Sequence, residues 1–453
     1  MVGIGGVSMS ALAHALYDRG VQVGGSDIVE SERVRELREL GITVHIGHDQ
    51  TNLDAPELIV HSTAIQPGNP ELVAGKARGI PIIHRSKLLA WFLENKRGLA
   101  IAGTHGKTTT TAMVGTVLVD AGTDPTVFLG GTSFDLGDNY RLGTSDVVVF
   151  EADESDASFS QYPGCSQIIT NVELDHVDHH GNLDKLKQVF ANFIEIGDPD
   201  GFLIYGSDCA DLVPLAAHCP GTARSFALDD PEAFYRATDI GTDNGWTTAT
   251  LLLEGRRAGT LRLPMVGRHN VANALAALGM TDMFGVPLKT ALARLAEFSG
   301  TSRRFELLYQ AGKLHIYDDY AHHPTEVRAV LAGARDAFGD AHITAVFQPH
   351  LPSRTQYFLE DFARAFSQAD SVIINAIYVA RGEPIPGVSA ELLADRIRQI
   401  EPDKPVHYFE SQEDLLAFVY NRIDAEELVM VIGAGDITQV GRELAGRLAD
   451  ERQ

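Results

Sequence analysis

A glycine-rich segment with one lysine and four threonines carries the clearest chemical signal in the sequence. Residues 103–110 read Gly-Thr-His-Gly-Lys-Thr-Thr-Thr, between the apolar run 99–102 and a predicted helix. A strand, a glycine turn and a helix N-terminus in this order direct N–H groups and positive potential at one point, which suits a phosphate. Lys107 is expected to reach the outer phosphates of a nucleotide, and the Thr108 hydroxyl to bind Mg²⁺. Because Ile101 stands where the usual motif has its first glycine, the sequence predicts a shortened phosphate loop.

Carboxylates follow a second apolar strand. Residues 151–156 read Glu-Ala-Asp-Glu-Ser-Asp, directly after the predicted strand Val147–Phe150. Carboxylates at the C-terminal end of a strand beside a phosphate loop are placed to hold Mg²⁺, directly or through water. The alternative is a solvated acidic turn, which the apolar strand makes less favourable. We expect Glu154 to be the ligand.

A histidine-rich segment follows the next predicted strand. Residues 171–181 read Asn-Val-Glu-Leu-Asp-His-Val-Asp-His-His-Gly. Neutral imidazole is a good metal ligand, and a carboxylate can orient it. No cysteine occurs in the segment to support a zinc cluster, so a single histidine is predicted to bind a second metal ion. His179 and His180 are expected to be exposed and incidental.

Asparagines open an alanine-rich helix at residues 267–274, Gly-Arg-His-Asn-Val-Ala-Asn-Ala. Their side chains both donate and accept hydrogen bonds, which suits the edge of an adenine ring. Helix capping by Asn270 explains the spacing about as well.

Polar clusters also occupy the last third of the chain. Arginines occur in 302–305, and the segments 318–326 (Asp-Asp-Tyr-Ala-His-His-Pro-Thr-Glu) and 347–355 (Phe-Gln-Pro-His-Leu-Pro-Ser-Arg-Thr) each follow a predicted strand. Sites in α/β folds form at such strand ends. Arg354 is suited to clamp a carboxylate with two hydrogen bonds, and Arg304 to reach a transferring phosphoryl group.

The N-terminus carries a weaker glycine signal. Residues 3–8 read Gly-Ile-Gly-Gly-Val-Ser, and Asp27 follows about 20 residues later, where an acidic side chain can bind a ribose hydroxyl. The pattern fits a diphosphate on a helix N-terminus and leaves NAD, FAD, a UDP-sugar or no ligand open. The segment 61–64, at the end of a strand, is a second candidate edge of that crevice.

Alternating strands and helices are predicted to position all of these groups. The alternation indicates doubly wound parallel sheets, and the motifs divide the chain into segments 1–98, 99–299 and 300–453. In the first segment, strands are predicted at 21–23, 58–60 and 80–83. A hairpin is predicted within 247–263, and further strands at 313–317, 343–347, 371–375 and 428–432.

Composition excludes some classes of partner. The formal charge is −24, from 37 basic and 61 acidic residues, so no electrostatic footprint for nucleic acid or an anionic membrane is present. Three cysteines without a CxxC spacing favour a reducing cytoplasm, and no apolar run is long enough to insert in a membrane. A monomer and a homodimer both remain open.

Together the motifs resemble the Mur ligase family over essentially the whole chain. The resemblance rests on the segments 103–110 and 151–156, the Asp-His-x-Asp at 175–178, the His-Asn-x-x-Asn at 269–273 and the Arg-Arg-Phe at 303–305. It implies an α/β protein with a Rossmann-like UDP-binding domain, a central P-loop ATPase domain and a Rossmann-like C-terminal domain that helps to bind an amino acid. Ser8 departs from the glycine that the family usually has there.

The resemblance also implies roles for individual residues. The implied ATP-binding residues are Gly103, Thr104, His105, Gly106, Lys107, Thr108, Thr109, His269, Asn270, Asn273 and Arg304. The implied metal ligands are Thr108, Glu154 and His176. The implied substrate-binding residues are Gly5, Gly6, Ser26, Asp27, Ser62, Tyr320, His350 and Arg354. The implied catalytic set is Lys107, Glu154, His176, Arg304 and His350.

The implied reaction uses ATP and Mg²⁺, or Mn²⁺, to activate the carboxylate of UDP-N-acetylmuramate as an acyl phosphate, which L-alanine then attacks. The segments 318–326 and 347–355 favour L-alanine. A family member that attaches a tripeptide to the same sugar nucleotide is the alternative. A general base is needed, and the sequence does not choose between His322 and His350. An ATP-driven switch would not need these two segments, and an NAD enzyme would leave the Lys107 loop unexplained.

Overall fold

The structure is a computed structural model, and it describes residues 1–154, 158–175, 181–243, 245–380, 383–425 and 427–450. Parallel sheets flanked by helices follow one another along the chain, which confirms the predicted α/β class. Among the described residues, no helix has the length and apolar character needed to cross a membrane.

The N-terminal part is a small parallel sheet between helices. Its strands are β1 (Gly24–Asp27), β2 (Thr43–Ile46), β3 (Ile59–His61) and β4 (Ile82–His84), and its helices are α1 (Val7–Asp18), α2 (Glu32–Glu39), α3 (Pro70–Ala77) and α4 (Arg85–Phe92). Val2 forms parallel bridges to Ser26 and to His61, so it joins β1 to β3. The strand predicted at 21–23 lies at Gly24–Asp27 instead, because the backbone pairs with Val2 and β2 only from there.

The central part holds a long mixed sheet. Its strands are β5 (Arg97–Ala102), β6 (Thr126–Phe128), β7 (Tyr140–Arg141), β8 (Val147–Glu151), β9 (Ser166–Ile169), β10 (Phe202–Gly206), β11 (Thr222–Ala227), β12 (Tyr235–Asp243), β13 (Trp246–Leu253) and β14 (Arg256–Leu263), and its helices are α5 (Lys107–Asp120), α6 (Leu183–Glu195), α7 (Leu212–Ala216), α8 (Arg268–Met283) and α9 (Leu288–Leu295). The strand order is β14-β13-β12-β11-β10-β9-β5-β8-β6-β7. β5 lies inside the sheet, parallel to β8 and β9, so the three strands end at one edge.

The N-terminal helices share a core with this central sheet. Met9 and Leu12 of α1 and Phe92 of α4 belong to the same buried cluster as Ala100 and Phe150. Asn139 Nδ2 also donates to the Val7 carbonyl oxygen at 2.7 Å. The N-terminal glycine turn is therefore fixed relative to the edge where β5 ends.

The C-terminal part is a second, separate α/β layer. Its strands are β15 (Glu306–Ala311), β16 (Leu314–Asp319), β17 (His342–Phe347), β18 (Ser371–Asn375), β19 (Val406–Phe409) and β20 (Glu427–Ile432), and its helices are α10 (Pro324–Phe338), α11 (Pro352–Tyr357), α12 (Leu359–Ala365), α13 (Ala390–Ile400), α14 (Gln412–Tyr420) and α15 (Thr438–Asp450). The strand order is β15-β16-β20-β17-β18-β19, and only β15 is antiparallel to its neighbour among these described strands. The segments 318–326 and 347–355 lie where β16 and β17 end.

Candidate active site

The phosphate loop joins the end of β5 to the start of α5. Gly103 and Gly106 have φ angles of 131° and 83°, which favour glycine. A Cβ atom would lie 2.0 Å from Thr170 Oγ1 at Gly103 and 2.3 Å from Asn273 Oδ1 at Gly106. Only glycine fits at both positions, and the loop leads straight into a helix N-terminus, as an anion cradle requires. The geometry therefore fits nucleotide phosphates.

Lys107 lies in a ring of oxygen atoms. Its Nζ donates to the Gly103 carbonyl oxygen at 2.6 Å and to Glu154 Oε2 at 2.9 Å. Burial raises the pKa of Glu154 to about 7, although Lys107 acts in the opposite direction. A bound phosphate would compete with this carboxylate for the lysine.

Glu151 is a candidate ligand that sequence reasoning did not single out. It ends β8, its Oε1 accepts from the Gly130 N–H at 2.5 Å, and it is hydrogen-bonded to Thr108. Its position at the end of an apolar strand was the available signal. Hydroxyl and carboxylate oxygens are the ligands that Mg²⁺ prefers, so Thr108, Glu151 and Glu154 fit a magnesium ion. The predicted ligand His176 lies outside the described residues, as do His179 and His180.

A smaller cavity of about 240 Å³ lies beside the loop, and His269, Asn270 and Asn273 line it. Burial, with Arg304 nearby, lowers the pKa of His269 to about 4. The Nδ1 atom of this neutral ring is buried and has no hydrogen-bond partner among the described residues. A cavity lined by this neutral histidine and by two asparagine side chains fits a polar heterocycle such as adenine.

The two asparagines differ in what they can offer. Asn270 donates from Nδ2 to the Val266 carbonyl oxygen at 2.8 Å, one turn earlier, and makes no capping hydrogen bond. Asn273 packs against Gly106 of the phosphate loop. Asn273 is therefore the better placed of the two to contact a nucleotide.

His105 connects the phosphate loop to the C-terminal part. Its Nε2 lies 3.0 Å from Glu173 Oε2, and its Nδ1 lies 3.0 Å from Glu326 Oε1 on α10. Burial alone would lower the pKa of His105, but Glu326 and Glu173 raise it to about 9. The ring is thus a cation between two carboxylates. The sequence predicted His105 only as a loop member, since Glu326 lies 221 residues away.

The N-terminal turn uses some of its predicted side chains internally. The Gly5 N–H donates to Asp27 Oδ2 at 2.8 Å, and Ser62 lies against Gly3. The Ser26 hydroxyl is fully buried and donates to Glu71 Oε2 at 2.8 Å. Ser26 therefore does not present its side chain to the cleft, contrary to its predicted substrate contact, because it lies inside the sheet beside Val2.

One cleft of about 530 Å³ connects these parts. Its lining residues include Ser8, Lys107, Thr108, Arg304, Tyr320 and His322. They come from the N-terminal, central and C-terminal parts of the chain. Arg304 also lines the smaller cavity, so it lies where the two spaces meet, with Nη1 4.0 Å from Glu326 Oε1.

Arg354 does not offer a free guanidinium to a substrate carboxylate. Its Nε and Nη2 donate to Asp175 Oδ1 at 3.0 and 2.8 Å, and Nη2 also donates to Oδ2 at 3.0 Å. Its Nη1 donates to Nδ1 of His350 at 3.1 Å. The predicted clamp is occupied by Asp175, and both residues are buried. The composition of the 347–355 segment could not reveal a partner 179 residues away.

Sequence profiles of known families match the chain in the order of its three parts. The N-terminal match is to the Mur ligase family, catalytic domain, at residues 1–97, and the next is to the Mur ligase middle domain at 101–281. The third is to the Mur ligase, glutamate ligase domain, at 303–435. The chain belongs to the Mur ligase family.

Individual Mur ligases resemble it over nearly their full length. UDP-N-acetylmuramate–L-alanine ligase of Carboxydothermus hydrogenoformans is 39% identical over 98% of this chain and 96% of its own. The enzyme of the same name from Symbiobacterium thermophilum is 42% identical over 99% of this chain and 94% of its own.

Solved Mur ligase structures share the whole architecture. UDP-N-acetylmuramate-alanine ligase from Thermotoga maritima has a TM-score of 0.87 and 31% identity, covering 99% of this chain and 98% of its own. A murein peptide ligase from Psychrobacter arcticus has a TM-score of 0.74 and 25% identity, covering 99% and 98%.

Proposed function

We propose that the protein is an ATP-dependent ligase that joins L-alanine to the carboxylate of UDP-N-acetylmuramate through an acyl phosphate. One observation carries the proposal: a single cleft brings the Lys107 loop together with the N-terminal helix and with Tyr320 and His322. The relatives named for this reaction are about 40% identical over almost the full chain. The reaction is a step of peptidoglycan precursor synthesis, on which cell wall growth, cell shape and division depend.

Each of the three domains is proposed to bind a different substrate. We place the UDP-substrate domain at 1–98, the ATP-binding domain at 99–299 and the amino-acid domain at 300–453. The backbone at Gly5 and Gly6, at the N-terminus of α1, is proposed to hold the diphosphate, with Asp27 and Ser62 at the edges of that site. The supply of ATP and the free cysteines both favour the cytoplasm.

The residues around the phosphate loop are proposed to bind ATP. The loop residues Gly103 to Thr109 hold the phosphates, and His269 and Asn273 contact the adenine. Thr108, Glu151 and Glu154, with His176, are proposed to bind Mg²⁺, or Mn²⁺ in its place. The metal ion would supply positive charge against the phosphates.

The chemistry follows from the charges. A carboxylate resists attack by an amine, so it must first gain a leaving group. Its oxygen attacks the terminal phosphorus of ATP, the bond to the bridging oxygen breaks, and ADP leaves with that electron pair. Lys107 and Arg304 offset the charge that develops on the transferred phosphoryl group. A closed C-terminal domain keeps water from the acyl phosphate.

The amine is proposed to bind beside Tyr320 and His322. Both line the cleft, and the Arg304 guanidinium carbon lies 5.2 Å from the centre of the Tyr320 ring. His350 and Arg354 lie next to this pocket, and we propose that they shape it.

The test is phosphate release from ATP and Mg²⁺ with UDP-N-acetylmuramate, comparing L-alanine with the tripeptide L-Ala-γ-D-Glu-diaminopimelate. We expect release that requires both the sugar nucleotide and L-alanine. Release with the tripeptide alone would instead assign the chain to the alternative reaction. If neither L-alanine nor the tripeptide causes phosphate release, ligase activity on this sugar is contradicted.

A further inference from the structure

The hydrogen bonds of His322 and His350 decide which of the two is available as a base. Their ring centres lie 5.8 Å apart, but their Nδ1 atoms have opposite kinds of partner. Nδ1 of His322 lies 3.0 Å from the carbonyl oxygen of Tyr320. A carbonyl oxygen only accepts, so this Nδ1 must carry the proton. The lone pair of His322 is therefore on Nε2.

His350 has the opposite tautomer. Its Nδ1 lies 3.1 Å from Nη1 of Arg354, and a guanidinium nitrogen only donates. Nδ1 of His350 must accept this hydrogen bond, so the proton of the neutral ring is on Nε2. A ring nitrogen that already carries a proton cannot take another from an amine.

Position leads to the same assignment. The His322 side chain is 18% exposed and lines the cleft that also holds Lys107 and Arg304. His350 is not among the described residues that line this cleft, and its ring stacks on Tyr378 with 5.8 Å between ring centres. A proton acceptor must reach the reacting atoms, and His322 can do so because it lines the cleft.

We propose that Nε2 of His322 is the general base that takes the proton from the attacking amine. This proposal rests on the ligase function proposed above. In the step, L-alanine reacts as the neutral amine: its nitrogen lone pair forms the bond to the acyl carbon, and the carbonyl electron pair moves to oxygen. One N–H proton passes to Nε2. The bond from carbon to the phosphate oxygen then breaks, and phosphate leaves with that electron pair.

The surroundings keep the His322 ring neutral. Burial lowers its pKa to about 4, with Arg354 acting in the same direction and Glu326 and Asp175 opposing them. A neutral ring has its lone pair available at neutral pH. The amine nitrogen becomes much more acidic once its lone pair is shared with the acyl carbon, so a base of low pKa can still take its proton.

The experiment separates proton removal from carboxylate activation. His322→Asn retains an N–H group near the position of Nδ1 and loses Nε2. With L-alanine we expect amide formation to fall by about 100-fold or more, the usual contribution of a general base. Hydroxylamine nitrogen is a much weaker base than the alanine amine, so once bonded to the acyl carbon it is acidic enough to lose its proton to water. Hydroxamate formation should therefore stay within about threefold of the unaltered enzyme.

Each other result is decisive. Amide formation within about tenfold of normal would rule out His322 as the base. Loss of the hydroxamate to the same extent would assign His322 to carboxylate activation or to the fold. If the unaltered enzyme itself makes no hydroxamate from UDP-N-acetylmuramate, the proposed ligase function fails, which is a distinct outcome.

Two further measurements guard against a damaged variant. His350→Gln keeps an N–H group near the Nε2 position, and we expect its amide formation to fall less than that of His322→Asn. A larger fall with normal hydroxamate would make His350 the base. In ¹⁵N spectra of histidine-labelled protein, assigned with these variants, the His322 signal should be that of an Nδ1–H ring. An Nε2–H ring there would overturn the proposal.

Discussion

Lys107 is paired with a carboxylate where a phosphate is expected to bind. Its Nζ lies 2.9 and 3.1 Å from the two carboxylate oxygens of Glu154, and Glu154 is 2% exposed. A buried carboxylate needs a cation nearby, and a buried lysine needs an anion. Nucleotide phosphate can replace Glu154 beside Lys107, and a metal ion can replace Lys107 beside Glu154. The pair therefore holds both side chains in place before these ligands bind.

Removal of the lysine charge should abolish activity. Lys107→Ala leaves the phosphoryl charge uncompensated, and we expect amide formation to fall by about 1,000-fold or more. ADP formation measured by a coupled assay tests this. Lys289→Ala, at an exposed position on α9, is the matched control. Near-normal turnover of Lys107→Ala would contradict the site.

The contact between Glu151 and Thr108 leads to a prediction about the metal. Glu151→Gln keeps the size of the side chain and removes its charge, so the Mg²⁺ concentration for half-maximal activity should rise by about tenfold or more, as loss of a charged ligand implies. A magnesium titration of both proteins measures it. An unchanged titration would show that Glu151 does not bind the metal ion. Glu154 would then be the proposed carboxylate ligand among the described residues.

At the scale of elements, local patterns predicted most of the framework. The β5–loop–α5 unit, β8, the β13–β14 hairpin and β18 lie where the apolar runs and glycines placed them. The strand at 21–23 was wrong by a few residues, since pairing with Val2 and β2 defines that strand. Pairs such as His105 with Glu326 could not be predicted, because their contact depends on how two domains meet.

The His105 pair should make stability depend on pH in a defined direction. The pKa of the His105 ring is raised from 6.5 to about 9 in the folded protein. The stabilisation is therefore fully present below 6.5 and is lost as the pH rises through about 9. Thermal unfolding at pH 7 and at pH 9.5 should show a smaller decrease of Tm for His105→Asn than for the unaltered protein. Equal decreases would show that the contact contributes no stability.

At the scale of the whole molecule, a buried ion pair joins the central and C-terminal domains. Asp175 lies in the segment that follows β9 in the central domain, and Arg354 lies on α11 in the C-terminal domain. Removal of one partner leaves a buried charge unpaired, at a cost of about 3–5 kcal/mol if the domains stay together. Separation of the domains relieves that cost by admitting water.

Loss of this pair should therefore open the molecule. We expect Arg354→Leu and Asp175→Leu each to increase the radius of gyration measured by small-angle X-ray scattering, and the double variant to show no further increase. Arg447→Leu, which breaks an exposed pair with Glu443, is the control. An unchanged radius in both single variants would show that other contacts hold the domains closed.

The core that α1 and α4 share with the central sheet has a consequence for how the protein unfolds. A helix cannot leave a core without exposing the sheet beneath it, so the N-terminal and central domains form one cooperative unit. The described buried clusters of the C-terminal domain draw their buried residues from that domain alone. Three domains should thus melt in two calorimetric transitions, and a ligand that contacts both units should bring the two transitions together.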